Sequence, residues 1–344
     1  MIPQTELHSA DWQSELRAAE TDGTALLARL NLTPRQMGFS AVAAREFSVL
    51  VPLPYLQRIT PGDPNDPLLR QVLATSEETL VKPGYSDDPV GETGDTIRHP
   101  GIIQKYHGRV LLILASGCAI NCRYCFRRHF PYEDNRQSRR EWLQALDAIA
   151  ADTSITEVIL SGGDPLLVSD QRLTELIQAI ADIGHVKRLR VHTRLPVVIP
   201  SRVTPGLVSA LTATRLRSVL VIHSNHAREL DEEVGAAMRR LRAAGVDLLN
   251  QSVLLKGVND RASTLAALSE QLFAIGVMPY YLHLLDKVRG ASHFDVSEQA
   301  GKALIAAVSA LLPGYLVPKL VREEAGQPAK SAIAPLATET ADRC

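Results

Sequence analysis

From Val110 onward, short apolar and β-branched runs alternate with stretches whose apolar residues recur at helical spacing. Strands are predicted to begin near Val110, Glu157, Arg188, Ser218, Asp247 and Met278, with helices between them over 140–150, 171–183, 232–244 and 264–275. After a longer first interval the starts fall about 30 residues apart, the length of a βα unit. Right-handed βα units in series give a parallel sheet that curls toward a barrel. Six units are two short of closure. The expected fold is therefore α/β, an open partial (β/α)6 barrel whose active face is the C-terminal end of its strands. The run 315–321 is a candidate extra strand near the open side.

Before residue 100 the rhythm differs. Trp12, Leu16 and Ala19 recur at helical spacing, as do Leu26, Leu27 and Leu30, and a further helix is expected over 41–49. The stretch 60–95 is rich in Pro, Gly and Asp and reads as extended wrapping. No chemistry shows here, so this part is expected to cap the barrel. The resulting division is a helical extension over 1–100, a barrel over 101–314 and a C-terminal segment over 315–344.

Composition narrows the picture in two ways. A 45% hydrophobic fraction supports a substantial core, and a net charge of −1 gives no general affinity for nucleic acid or an anionic membrane. No apolar run approaches the roughly 20 residues of a membrane span. Met1-Ile2-Pro3-Gln4-Thr5-Glu6 has no basic stretch leading into an apolar one, and the clustered cysteines suit a reducing compartment, so cytoplasm is expected.

The chemistry centres on Cys118, Cys122 and Cys125, spaced C-x3-C-x2-C in the loop after the first predicted barrel strand; the fourth cysteine, Cys344, ends the chain. Thiolates this close commonly share a metal. A [4Fe–4S] cluster on three cysteines leaves one iron open to a small molecule. The same spacing also suits a closed Cys3His zinc site with His129, or buried inert thiols. Other polar groups fall at strand ends. Ser161-Gly162-Gly163-Asp164-Pro165 follows the second strand, where paired glycines allow close backbone approach and offer N–H groups to a ligand. His223-Ser224-Asn225-His226 follows the fourth, Asn250-Gln251-Ser252 the fifth, and Tyr281, His283 and Asp286 the sixth.

The cysteine loop resembles the cluster loop of radical S-adenosylmethionine (SAM) enzymes, and the chain as a whole is similar to their lysine 2,3-aminomutase branch. The resemblance rests on Lys105-Tyr106-x-x-Arg109, Cys122-Arg123-Tyr124-Cys125-x-Arg127-Arg128, Leu160-Ser161-Gly162-Gly163-Asp164 and Arg194-x-Pro196-Val197-Val198. It continues through Asn250-Gln251-Ser252-Val253-Leu254-Leu255-x-Gly257, Pro279-Tyr280-Tyr281 and Gly314-Tyr315-x-Val317-Pro318, and covers roughly residues 45 to 335. Within the branch, three runs resemble the members that make (R)-β-lysine for modification of elongation factor P. These are Asp66-Pro67-Leu68-Leu69-Arg70-Gln71-Val72-Leu73, residues 121–132 and residues 278–288. The chain stops soon after Lys330, and Arg261 stands where the clostridial-type enzymes have a zinc-ligand cysteine, so their zinc and its mode of assembly are not expected.

The resemblance implies a radical SAM partial TIM-like barrel that moves the amino group of L-lysine from C2 to C3. The implied cofactors are a [4Fe–4S] cluster on Cys118, Cys122 and Cys125, SAM, and pyridoxal 5′-phosphate (PLP). An external electron donor would reduce the cluster, and the β-lysine ligase of the elongation factor P pathway would be an indirect partner. SAM is expected near Ser161, Gly162, Gly163, Asp164, His223 and Gln251. Lys330 matches the PLP lysine, although the usual glycine-rich run before it is degraded; Lys105, Tyr106 and Arg109 match positions near the PLP phosphate. Arg127 is expected to pair with the substrate carboxylate. Asp286 and Glu323, with Glu324 as a substitute for the latter, would hold the distant ε-ammonium. The alternatives are an aminomutase making free β-lysine or acting on another amino acid, and a zinc-stabilised barrel that binds a partner without catalysis.

Overall fold

The computed structural model describes residues 11–92, 96–99, 101–131 and 139–336. Among the described residues six short helices come first: α1 Trp12–Arg17, α2 Gly23–Arg29, α3 Pro34–Met37, α4 Ala41–Glu46, α5 Leu53–Leu56 and α6 Pro67–Arg70. Side chains of Asp11, Asp22, Thr33, Ser40 and Asp66 cap five of them, each accepting from a free N–H of the first turn. The expected extended wrapping over 60–95 is interrupted by α6 and by a 3-10 turn, Ser76–Thr79. Both are local elements set by their caps, Asp66 before Pro67 and Thr75 with Glu78, a signal that apolar periodicity does not carry.

Among the described residues ten strands then form one sheet in chain order. The strands β1 (Ile97–His99) and β2 (Ile102–Ile103) pair antiparallel and lead into β3 (Arg109–Ala115). From there β4 (Glu157–Gly162), β5 (Arg188–Thr193), β6 (Arg217–Ile222), β7 (Asp247–Val253) and β8 (Met278–His283) add in parallel. These are the six predicted units. The candidate extra strand is β9 (Lys319–Arg322), parallel to β8, and β10 (Ser331–Ala332) folds back antiparallel on it. With β1 at one edge and β10 at the other, the barrel stays open.

Between the strands run α7 (Arg139–Ala151), α8 (Asp170–Ala181), α9 (Leu195–Val198), α10 (Pro205–Thr212), α11 (Glu232–Ala243), α12 (Ala262–Ala274) and α13 (Glu298–Leu311). Their apolar faces bury Leu173, Ile177, Leu207, Met238 and Leu272 against Leu160, Val191, Leu220 and Leu248 of the sheet. Each such side chain contributes about 1.5–3 kcal/mol of burial. Leu26, Leu27, Val51, Tyr55, Leu68 and Leu69 of the first hundred residues belong to that same core.

The extension is also riveted to the cysteine loop by charge. Glu78 accepts from Arg123 Nε at 2.8 Å and Nη2 at 2.6 Å, and from Arg128 Nη2 at 2.8 Å, all of them buried. A second core around Leu254, Leu282, Ile305, Val308 and Leu320 packs α13 under β8 and β9 and so places the C-terminal segment.

Candidate active site

The cysteine loop leaves β3 and folds over the C-terminal ends of the next strands. It is held there by the Gly162–Gly163 turn. A Cβ on Gly163 would lie 2.0 Å from the Gly117 carbonyl oxygen, and one on Gly162, whose φ is +120°, 2.6 Å from that of Ala115. The Gly163 N–H donates to Ala115 O at 2.7 Å and the Asp164 N–H to Gly117 O at 2.8 Å. Gly163 therefore spends its N–H on the carbonyl that ends β3, and its lack of a side chain lets its backbone meet that of Gly117 in the cysteine loop.

Asp164 is likewise occupied internally. Its carboxylate accepts from Thr193 Oγ1 at 2.7 Å and from the N–H groups of Leu166, Arg194 and Leu195 at 3.0, 2.8 and 2.9 Å. It ties the β4 turn to the end of β5. Burial raises its pKa despite those donors.

Cys118, Cys122 and Cys125 are free thiols lining one cavity of about 340 Å³. Burial pushes Cys118 well above the ordinary thiol range and Cys125 to about 11, with the neighbouring thiolates adding to both. A cationic cluster would reverse this by replacing mutual repulsion with ligation. His129 does not join them. Its Nε2 lies 3.2 Å from Arg289 O, and Asp87 sits 3.7 Å away. Among the described residues no three His, Cys, Asp or Glu side chains are grouped as a single-ion site requires.

The same cavity is lined by every other residue expected at the site: Lys105, Tyr106, Arg109, Arg127, Ser161, Gly162, Gly163, Asp164, His223, Gln251, Asp286, Glu323 and Lys330. Gln251 lies within β7 rather than after it, where the β7–β8 register shifts, and Tyr281 and His283 lie within β8. The two candidate carboxylates differ in position. Glu323 lines the cavity, whereas Glu324 accepts from Ser331 Oγ at 2.6 Å outside it.

A line of alternating charge crosses the cavity wall. Arg127 donates to Glu92 (Nε–Oε2 2.5 Å, Nη2–Oε1 2.9 Å), Lys105 lies 3.2 Å from Glu92 and 2.7 Å from Glu323, and Glu323 pairs with Lys330. Burial would raise Glu323, but Lys330 and Lys105 outweigh it and hold its pKa near 2. Among the described residues the Asp286 side chain has no hydrogen bond or ion pair; burial, then Glu323, lifts its carboxyl to about 7. Burial, reinforced by Lys330, depresses His283 to about 3, while His192 and His223 fall well below the ordinary imidazole value, burial again leading. The three imidazoles are neutral at physiological pH.

Sequence reasoning missed Glu92 and Arg194. Glu92 comes from the stretch expected to carry no chemistry, and it is buried against the proposed substrate arginine. Nothing in its Pro- and Gly-rich surroundings marks it. Arg194 did have a signal, since it ends a predicted strand within a recognised motif. Its Nη1 lies 2.7 Å from Cys122 Sγ and 2.6 Å from Tyr124 Oη. Arg194 Nε and His192 Nε2, both buried on cavity-lining residues, have no partner among the described residues. Such orphaned donors fit a cavity shaped around a further polar group.

An open parallel barrel with three thiols on its first loop, facing the C-terminal ends of the other strands, has the architecture of a radical SAM enzyme. The sequence model of the Radical SAM superfamily matches residues 112–268. L-lysine 2,3-aminomutase of Escherichia coli (strain K12) is 48% identical over 324 residues, covering 94% of each chain. The Haemophilus influenzae enzyme of that name is 48% identical over 336 residues, 97% of this chain and 99% of that one. That of Clostridium subterminale is 35% identical over 327 residues, 94% of this chain and 78% of that one. The chain belongs to the L-lysine 2,3-aminomutase family of radical SAM enzymes. Membership implies a [4Fe–4S] cluster and SAM, and the three thiols in one cavity fit that cluster. Among the described residues no helix is long and apolar enough to cross a membrane.

Proposed function

We propose that this protein is a PLP-dependent L-lysine 2,3-aminomutase that converts (S)-α-lysine to (R)-β-lysine for the modification of elongation factor P. The observation that carries the reading is one cavity with three thiols, Lys330, and a pair of acids, Asp286 and Glu323. When bound, the cluster and SAM supply a carbon radical able to take hydrogen from an unactivated C–H, and PLP carries the migrating amino group.

Cys118, Cys122 and Cys125 would hold the cluster, Lys330 would anchor PLP, and Lys105, Tyr106 and Arg109 would take its phosphate. The Arg109 guanidinium lies 4.6 Å over the Tyr106 ring, which keeps both at the cavity wall. Asp286 and Glu323 suit the ε-ammonium of lysine, because two buried acids favour a cation and disfavour a second carboxylate. Arg127 suits the α-carboxylate, with Ser161 Oγ at 3.0 Å and Gly162 O at 3.1 Å fixing its Nη1. The neutral imidazoles add no competing cation to this wall. The link to elongation factor P rests on the sequence of residues 66–73, 121–132 and 278–288, of which Tyr132 lies outside the described residues. A soluble cytoplasmic enzyme fits this role, as does reduction by an external low-potential donor.

The test is metal, sulfide and PLP content of anaerobically purified protein, followed by lysine turnover with SAM and dithionite. About four irons per chain, stoichiometric PLP and a β-lysine product support the proposal. A protein that binds zinc alone after cluster reconstitution overturns it.

A further inference from the structure

We propose that Arg194 acts through the sulfur of Cys122 to raise the reduction potential of the cluster, an inference that rests on the reading of Cys118, Cys122 and Cys125 as its ligands. Arg194 directly follows β5, and its backbone N–H is fixed by Asp164. Its side chain is only 7% exposed. Nη1 donates to Cys122 Sγ, and Nη2 is held from the other side by Gln71 Oε1 at 2.9 Å and Glu229 Oε2 at 2.8 Å. Glu229 is itself pinned, accepting from the N–H groups of Asn225 and His226 at 2.9 and 3.0 Å. The guanidinium therefore approaches the sulfur in a direction set by the protein before any cluster is present.

Two effects follow, and they share a sign. A hydrogen bond to a ligating sulfur withdraws charge from the iron, and a nearby fixed cation favours the state carrying one more electron. Reduction adds one electron from an external one-electron donor and makes the cluster one unit more negative, with no bond broken. Burial keeps the cation poorly screened, so its effect on the potential is retained. Glu229 works against it, because a carboxylate beside the guanidinium offsets part of its charge.

The rival is a purely structural Arg194, a rivet between the extension (Gln71) and the barrel (Glu229). The two are separated by redox titration of the anaerobic holoenzyme without SAM, followed by electron paramagnetic resonance of the reduced cluster. Arg194→Gln is expected to move the midpoint to more negative potential, and Arg194→Lys, which keeps the charge, to move it less. Glu229→Gln keeps the shape of the side chain and its acceptor for the two N–H groups, and is expected to move the midpoint the opposite way. If Arg194→Gln does not fold, Arg194→Lys decides alone: loss of the Nη1 hydrogen bond to Cys122 Sγ moves its midpoint to more negative potential, and a wild-type midpoint overturns the proposal. Variants that melt earlier yet titrate with the wild type, or that lose only SAM affinity, overturn the proposal. A wild-type protein that holds no four-iron cluster instead overturns the reading of the three cysteines beneath it.

Discussion

Glu92 and Arg127 face each other in a two-point contact, Nε to Oε2 at 2.5 Å and Nη2 to Oε1 at 2.9 Å, both side chains buried. Burial alone would raise the Glu92 pKa; Arg127 and then Lys105 lower it, so it is ionised at neutral pH. The carboxylate thus comes from the N-terminal extension and orients the guanidinium proposed for the substrate carboxylate. Glu92→Gln keeps the volume but loses the charge and half of the fork. A misplaced recognition group can cost about 100-fold in turnover, so kcat/KM for lysine is expected to fall by roughly that factor with iron content unchanged. Steady-state kinetics beside an iron assay checks this, and wild-type kinetics would reduce Glu92 to a packing residue.

Lys330 presents its ammonium to Glu323 at the cavity wall. Lys330→Ala is expected to abolish PLP absorbance and borohydride-fixed PLP while leaving iron and sulfide at wild-type levels. Retained, borohydride-fixable PLP in the variant would move the anchor to another lysine.

Asp286 titrates near 7, raised first by burial and then by Glu323. Below that pH the carboxyl is protonated and neutral, and above it the charge is present, while the lysine ε-ammonium stays charged throughout. Lysine KM should therefore fall as pH rises from 6 to 8. Asp286→Asn should flatten that dependence and weaken binding by about 2 kcal/mol or more, roughly 30-fold. A profile shared by the two proteins would place the titration elsewhere.

Glu78 serves both Arg123 and Arg128, and Arg123 is fully buried. Glu78→Ala leaves two guanidinium groups facing each other without a counter-charge. Breaking a buried pair from one side costs about 3–5 kcal/mol, and denaturant unfolding should show a loss of that order. Because Arg123 lies between Cys122 and Cys125, cluster retention in air should fall with it. A midpoint unchanged from wild type would mean that the loop holds its shape without this pair.

The six barrel strands and their helices were legible in the chain because each buries one face, and burial prints its own period on the sequence. β4 is buried along its whole length around an apolar centre, Val158-Ile159-Leu160, and burial alternates along β7, as a strand wall between helices and a cavity dictates. The cysteine spacing and the polar residues at strand ends were readable for the same local reason: chemistry was expected where the strands stop. What the sequence could not show is which distant charges neutralise one another. Lys105 and Glu323 are 218 residues apart and Arg127 and Glu92 are 35 apart, and no periodicity connects them. Only the folded chain turns Glu323 inward and Glu324 outward, spends the Gly163 N–H on the carbonyl that ends β3, and carries Glu92 from a featureless stretch into the site. These outcomes depend on through-space electrostatics and on which backbones come within contact of each other, and both are properties of the tertiary structure.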